Sequence, residues 1–132
     1  MDSKERYLQQ VKLVESYLKA LNNFSLDQYV HLFTPDCVVN DPHGTAEYQG
    51  ETGLRKFFAG LTDTWHFFEM RTDSVYPGGT DRLAVRWSVS GTAKNSKTAE
   101  FSGISVFQFA ADKIARLDAY WHLGNMLMQI RE

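Results

Sequence analysis

The chain has little of what marks the most easily read functional classes. Its one cysteine, Cys37, excludes an internal disulfide framework and suits a reducing compartment. Cys37 lies in an apolar stretch, where an inert buried thiol is expected rather than a nucleophile. No apolar run approaches membrane-spanning length, and the first residues are polar and helical rather than signal-like; a cytoplasmic protein with no membrane partner is expected. The net charge of -2 and pI of about 6.1 leave no footprint for nucleic acid. No GxGxxG, P-loop, GxSxG, HExxH or CxxC pattern occurs, so nucleotide-binding, triad and zinc chemistries have no support. His31, His43, His66 and His122 lack metal-ligand spacing and read as surface or satisfied histidines. Neither a metal nor a cofactor is expected. The three prolines, Pro35, Pro42 and Pro77, fall where elements are expected to end or turn.

Aromatic residues are plentiful, at 14%, and suggest a cavity walled by rings. An amphipathic helix is expected over 3–23, with Asp2 and Glu5 as a capping box. Val11, Val14, Leu18 and Leu21 form its apolar stripe, and Tyr17 sits at the edge. A second capping box, Ser25 to Gln28, opens a short helix to about residue 33, which Thr34-Pro35-Asp36 stops. A strand over 37–41, a short strand at 47–49 and a helix over 51–61 follow. The period then changes. Strands are expected over 66–76, 81–94, 97–110 and 114–121, joined by Pro77-Gly78-Gly79, Lys94-Asn95-Ser96 and Ala111-Asp112-Lys113. A short helical tail carries Leu123, Met126, Leu127 and Ile130. Leu83, Val85, Trp87 and Val89 share one face, as do Phe101, Gly103, Ser105 and Phe107. Ile104 and Val106 point the other way, so both sides of the sheet must be covered. The reading is one α+β domain over 1–132, with a curved antiparallel sheet wrapped around three N-terminal helices. Ile104 and Val106 would leave an apolar patch that a second copy covers, giving a homodimer.

The stretch Cys37-Val38-Val39-Asn40-Asp41-Pro42-His43-Gly44 places a carboxylate where an apolar strand meets a turn. Pro42 biases Asp41 towards extended geometry, and Gly44 supplies the turn. Asp41 reads either as the opener of an Asx-type turn or as a general base at a cavity.

Tyr17, the run Val39 to Gly44, Gln49-Gly50 with the helix after it, and Ala119-Tyr120-Trp121 together resemble the nuclear transport factor 2-like superfamily. Within it the chain is most similar to the ketosteroid isomerases and the SnoaL-like polyketide cyclases. The resemblance implies a conical fold enclosing an apolar pocket, and a dimer formed through the outer sheet face. It implies that Asp41 shuttles a proton beside a carbonyl while Tyr17 donates to the developing enolate oxygen. Ketosteroid isomerase is itself a standard illustration of such a base beside an oxyanion hole. Where the family carries a second donor, a protonated Asp, the alignment places Ser105, a weaker donor. The supporting tyrosines of the family appear as Phe33 and Phe58. Leu117, Ala119 and Trp121 match the cavity side of the last strand, with Trp121 a wall that desolvates Asp41. The expected substrate-binding set is Phe33, His43, Phe58, Trp87, Phe101, Gly103, Leu117, Ala119 and Trp121.

The function implied is a cofactor-independent isomerase or lyase acting on an apolar, carbonyl-bearing small molecule, steroid-like or polyketide-like. Two alternatives stand beside it: a cyclase or dehydratase pairing Asp41 with His66 or His43, and a pocket that binds an apolar ligand without chemistry.

Overall fold

The computed structural model describes residues 2–132. In chain order the elements are α1 (Ser3–Asn22), α2 (Leu26–His31), β1 (Phe33–Asn40), β2 (Tyr48–Gln49), α3 (Gly50–Thr64), β3 (Trp65–Gly78), β4 (Arg82–Ala93), β5 (Thr98–Ala110), β6 (Lys113–Trp121) and α4 (Leu123–Ile130). The strands form one sheet in the order β2-β1-β6-β5-β4-β3. Period-2 alternation sets its two faces. Leu83, Val85, Trp87 and Val89 of β4 are buried on the concave side, with Ser105, Phe107, Leu117 and Ala119 from β5 and β6. Register shifts at Trp65/Phe67 and Thr72/Ser74 in the β3–β4 ladder, and at Gln108/Phe109 in the β5–β6 ladder, bend the long strands. The sheet therefore curls around the helices without closing, as the fold reading expects.

Three local expectations need correction. The sheet is not wholly antiparallel, because β1 runs parallel to β6; α3 and the β3–β5 meander lie between them, so no hairpin sets their direction. The Ser25 side chain does not cap α2; instead its backbone carbonyl accepts from the Tyr29 N–H at 3.0 Å. Thr34-Pro35-Asp36 lies within β1 rather than before it. The Ile114 N–H donates to the Leu32 carbonyl at 2.8 Å, which docks the chain on β6 from that point. Pro35 is tolerated because the β1–β6 ladder is interrupted between Phe33 and Val38. Asp2 does cap α1, accepting from the Glu5 N–H at 2.8 Å.

Two side-chain amides finish the open strand edges. On β3, Asn22 donates to the Met70 carbonyl at 3.1 Å and accepts from the Met70 N–H at 2.7 Å. On β5, where β6 has ended, Gln129 accepts from the Glu100 N–H at 2.8 Å and donates to its carbonyl at 2.9 Å. Each amide stands in for a missing strand, and in doing so fixes α1 and α4 against the sheet. No helix among the described residues is long and apolar enough to cross a membrane. The outer face carries Phe67, Tyr76, Ile104 and Tyr120, each about half exposed or more.

Asn22→Ala removes both bonds to Met70 and leaves that edge to solvent. The expected loss is about 1–3 kcal/mol in urea denaturation, with faster hydrogen exchange at the Met70 amide. Unchanged exchange there would show that Asn22 does not hold the edge.

Candidate active site

Between the concave face and the helices lies a cavity of about 290 Å³. Its walls are rings and sulfurs: Trp65, Phe68 and Met70 from β3, Trp87 from β4, Phe101 from β5, Trp121 from β6 and Met126 from α4. Its polar lining includes Asp41, Tyr17 and Ser105. The indoles sit where they do because two strand positions carry no side chain. A Cβ on Gly103 would stand 2.8 Å from the Trp87 ring and 2.8 Å from Trp121 Cβ. A Cβ on Gly91 would stand 2.7 Å from the Trp65 ring. Glycine inside a strand here lets a ring lie flat against the sheet.

Asp41 follows β1 and is pinned from both sides. Before it, Asn40 Nδ2 donates to Asp118 Oδ1 at 3.0 Å and to Glu47 Oε2 at 3.4 Å. After it, the His43 N–H donates to the Ala119 carbonyl at 2.7 Å. Asp118 is in turn held by Arg116 Nε at 2.9 Å. Burial raises the Asp118 carboxyl, but hydrogen bonds from Arg116 and Asn40 outweigh it and hold it below the ordinary value. With its neighbours fixed, the Asp41 side chain projects inward, and Trp121 Nε1 donates to Asp41 Oδ1 at 2.6 Å.

Burial penalises the charged form of Asp41, while the Trp121 bond favours it. Burial wins, and the carboxyl is raised from 3.8 to about 6. The Tyr17 hydroxyl is pushed well above its usual range, first by burial and then by the Asp41 charge. It keeps its proton and is a donor at any physiological pH. Ser105 is also buried, and its Oγ accepts from Trp87 Nε1 at 2.8 Å. That leaves the serine proton free to be donated. The cavity thus offers one base or acid, with the Tyr17 and Ser105 hydroxyls among its donors, inside aromatic walls.

Tyr17, Asp41, Ser105, Trp87, Phe101 and Trp121 all line the cavity. The other expected contacts lie elsewhere. Phe33 and Phe58 are buried behind it, with ring centroids 5.0 and 5.2 Å from Tyr29. Leu117 and Ala119 form the sheet floor beneath the rings and are fully buried. Gly103 seats the indoles rather than facing the cavity. His43 is exposed, stacked on Tyr120 at 5.3 Å and 4.0 Å from Asp118, because its bonded backbone turns the side chain to the outer face. His66 is exposed as well, and among the described residues neither histidine lines the cavity that holds Asp41. Among the described residues no three His, Cys, Asp or Glu converge as a metal site. Burial pushes the Cys37 thiol up.

Sequence reasoning missed Trp65, Met70 and α4 as walls, and missed Tyr29. The Tyr29 ring is fully buried 5.9 Å from Tyr17, and its hydroxyl has no hydrogen-bond partner among the described residues. Alternation over 68–70 was a usable signal for Met70; the register shift at Trp65/Phe67 breaks that alternation before Trp65, and nothing local marked Tyr29.

A profile of the SnoaL-like domain matches residues 14–117. No curated protein sequence matches the chain. Among solved structures, the chain is similar to SalBIII, an epoxide hydrolase/cyclase-like enzyme of pyran ring formation in the polyether salinomycin. That match has 20% identity and a TM-score of 0.78, covering 94% of this chain and 95% of that one. An LEH-like epoxide hydrolase of Mycobacterium tuberculosis matches with 15% identity and a TM-score of 0.76, covering 93% and 90%. Rv0760c of the same organism, in complex with estradiol-17β-hemisuccinate, matches with 16% identity and a TM-score of 0.79, covering 89% and 96%. At these identities the likeness is one of fold.

The raised carboxyl of Asp41 has a cost in stability. The folded state holds this proton more tightly than the unfolded chain, so stability falls as pH rises from about 4 to about 6 and the full penalty remains above that. Asp41→Asn keeps an acceptor for Trp121 and removes the buried charge. It should stabilise the fold by about 3 kcal/mol at pH 8, with the gain vanishing towards pH 4. Thermal melts at the two pH values check this, and an equal effect at both would refute the raised carboxyl.

Proposed function

The chain belongs to the SnoaL-like domain family, within the nuclear transport factor 2-like superfamily, and on that premise we propose a cofactor-independent enzyme that moves a proton next to the carbonyl of an apolar small molecule. The observation that carries the reading is Asp41, held by Trp121 in an apolar cavity that also presents the Tyr17 and Ser105 hydroxyls. A carboxyl near 6 is ionised at neutral pH yet basic enough to take a carbon-bound proton and return it. The charge that develops on the carbonyl oxygen then needs donors already in place. Tyr17 supplies one. Ser105 supplies a second, oriented by the Trp87 N–H. The aromatic walls favour a substrate with flat apolar rings, and the estradiol ester bound by Rv0760c supports a steroid-like size.

A second reading rests on the same value of about 6 for Asp41. Such a group gives a proton nearly as readily as it takes one, which suits acid-assisted ring closure of the kind named for SalBIII. The two differ in substrate rather than in the residues used.

The test is deuterium uptake from D₂O at the carbon α to the carbonyl across a panel of fused-ring ketones. Wild type should show uptake, with kcat/KM rising tenfold per pH unit up to about pH 6 and level above it, because only ionised Asp41 acts as the base. Asp41→Asn should abolish uptake. Tyr17→Phe should slow it by about 10²–10³-fold if Tyr17 is the main donor. Uptake that survives Asp41→Asn would refute the mechanism. No uptake on any ketone, with cyclisation of an epoxy alcohol instead, would favour the second reading; neither activity would leave a binding pocket without chemistry.

We further propose a homodimer through the outer sheet face, where Ile104 and Tyr120 pair across β5 and β6 and stand half exposed. Ile104→Glu should shift sedimentation towards the monomer. A wild type monomeric at high concentration would overturn the assembly without touching the cavity.

A further inference from the structure

Of the nine glycines in the chain, most have a structural reason to be glycine. Gly44, Gly50 and Gly79 have positive φ. Gly53, Gly91 and Gly103 meet neighbours within 2.8 Å of an added Cβ. Gly60, Gly78 and Gly124 have neither reason, and of these three the cavity lining includes Gly60 alone. It lies inside α3 with ordinary φ, and a Cβ there would find nothing within 4 Å. A glycine inside a helix weakens it relative to alanine, so this position carries a penalty that packing does not explain.

Its position does explain it. Phe57, Gly60, Leu61 and Thr64 recur at helical spacing on one stripe of α3, and all four line the cavity. Gly60 and Thr45 are the exposed members of the lining that face solvent most openly. A side chain on Gly60 would therefore stand in the cavity mouth. The cavity itself is small. At about 290 Å³ it lies at the lower end of small-molecule pockets, so a longer ligand must continue outwards.

We propose that Gly60 is a specificity-determining position: it keeps open a portal through which the apolar tail of an elongated ligand leaves the cavity while the oxygen-bearing end reaches Tyr17 and Asp41. The ligand class is thus an extended apolar molecule with one carbonyl or phenol terminus, not a compact one enclosed on all sides. This deepens the reading of the cavity as the binding site, and it does not depend on Asp41 performing proton transfer.

All three tryptophans of the chain line the cavity, so intrinsic fluorescence reports on its occupancy. The experiment titrates phenol and 4-octylphenol into wild type, Gly60→Ala and Gly60→Leu, and reads the ratio of their dissociation constants. The ratio favouring 4-octylphenol should fall at least tenfold in Gly60→Leu and change little in Gly60→Ala. An unchanged ratio in Gly60→Leu would overturn the portal. Wild type is tested independently, should Gly60→Leu fail to fold, with 8-(4-hydroxyphenyl)octanoate. If the tail emerges past Gly60, its terminal carboxylate is solvated and affinity stays within threefold of 4-octylphenol. A drop of more than tenfold means the tail end is enclosed, and the proposal fails. Loss of deuterium exchange with the tail preference intact would remove the proposed chemistry and leave the portal standing; the converse would do the reverse.

Discussion

One hydrogen bond, from Trp121 Nε1 to Asp41 Oδ1 at 2.6 Å, is the constraint around which the concave side is arranged. A carboxylate taken from water into a ring-lined cavity is unfavourable unless something receives its charge. The indole donates one bond and no more, so it lowers the penalty without removing it, and the carboxyl stays near 6. Two or three donors would have driven the group well below its usual range and made it a poor base. Without that donor the carboxyl would be pushed up further. The geometry that permits this one bond is demanding. β6 must end beside the turn that follows β1, which the parallel β1–β6 pairing achieves by setting Asn40 opposite Asp118. Gly103 must lack a side chain because a Cβ there would meet the β6 backbone at Tyr120 and the root of the Trp121 side chain.

The two faces of the sheet divide the electrostatic work. On the outer face, Asp118 collects hydrogen bonds from Arg116 and Asn40 and is held ionised. On the inner face, Asp41 is nearly starved of them. Residues 40 and 41 thus serve opposite purposes one position apart: Asn40 anchors the turn in a satisfied polar cluster, and Asp41 is carried by that anchor into a site where it is destabilised. The edge amides Asn22 and Gln129 extend the same logic to the helices. Rigid supports tolerate a strained functional group because their own polar groups are satisfied.

Much of this was legible in the chain because period-2 alternation is a strong signal. It placed Trp87, Phe101, Ser105 and Trp121 on one face without reference to any partner, and a Pro-His-Gly turn after a β-branched run singled out Asp41. What was not legible depends on approach from distant parts of the chain. The parallel direction of β1 against β6 follows from a connection of more than seventy residues, and no local pattern encodes it. His43 was misplaced because its backbone bond to Ala119, a tertiary contact, decides which way the ring points. The resemblance suggests Phe33 and Phe58 as supports of Tyr17 and also as contacts for a ligand; they pack on Tyr29 behind the cavity, and burial against other rings and burial against a void look alike in a sequence. Gly91 and Gly103 inside strands did carry a readable sign of close ring approach, and only the partners were missing.

The way the two indoles are used bears on how the site avoids reorganising during a reaction. Trp87 donates to Ser105, and Trp121 donates to Asp41. An indole has one N–H and no acceptor, so each bond is one-directional and the indole makes no second polar demand on its partner. In the proposed chemistry Asp41 Oδ2 would take the transferred proton, and the Ser105 proton would meet an oxygen in the cavity. Both indoles are held by neighbouring rings, Trp121 with its centroid 5.1 Å from Phe101 and Trp87 6.0 Å from the same ring. The polar groups are thereby oriented through the hydrophobic wall rather than through a polar network. Such a wall neither rotates nor exchanges with solvent as charge moves, which is the condition under which fixed dipoles stabilise a developing oxyanion at little reorganisation cost. In the proposed chemistry, a Ser105 Oγ fixed by the Trp87 N–H would offset through position part of what a serine lacks in acidity.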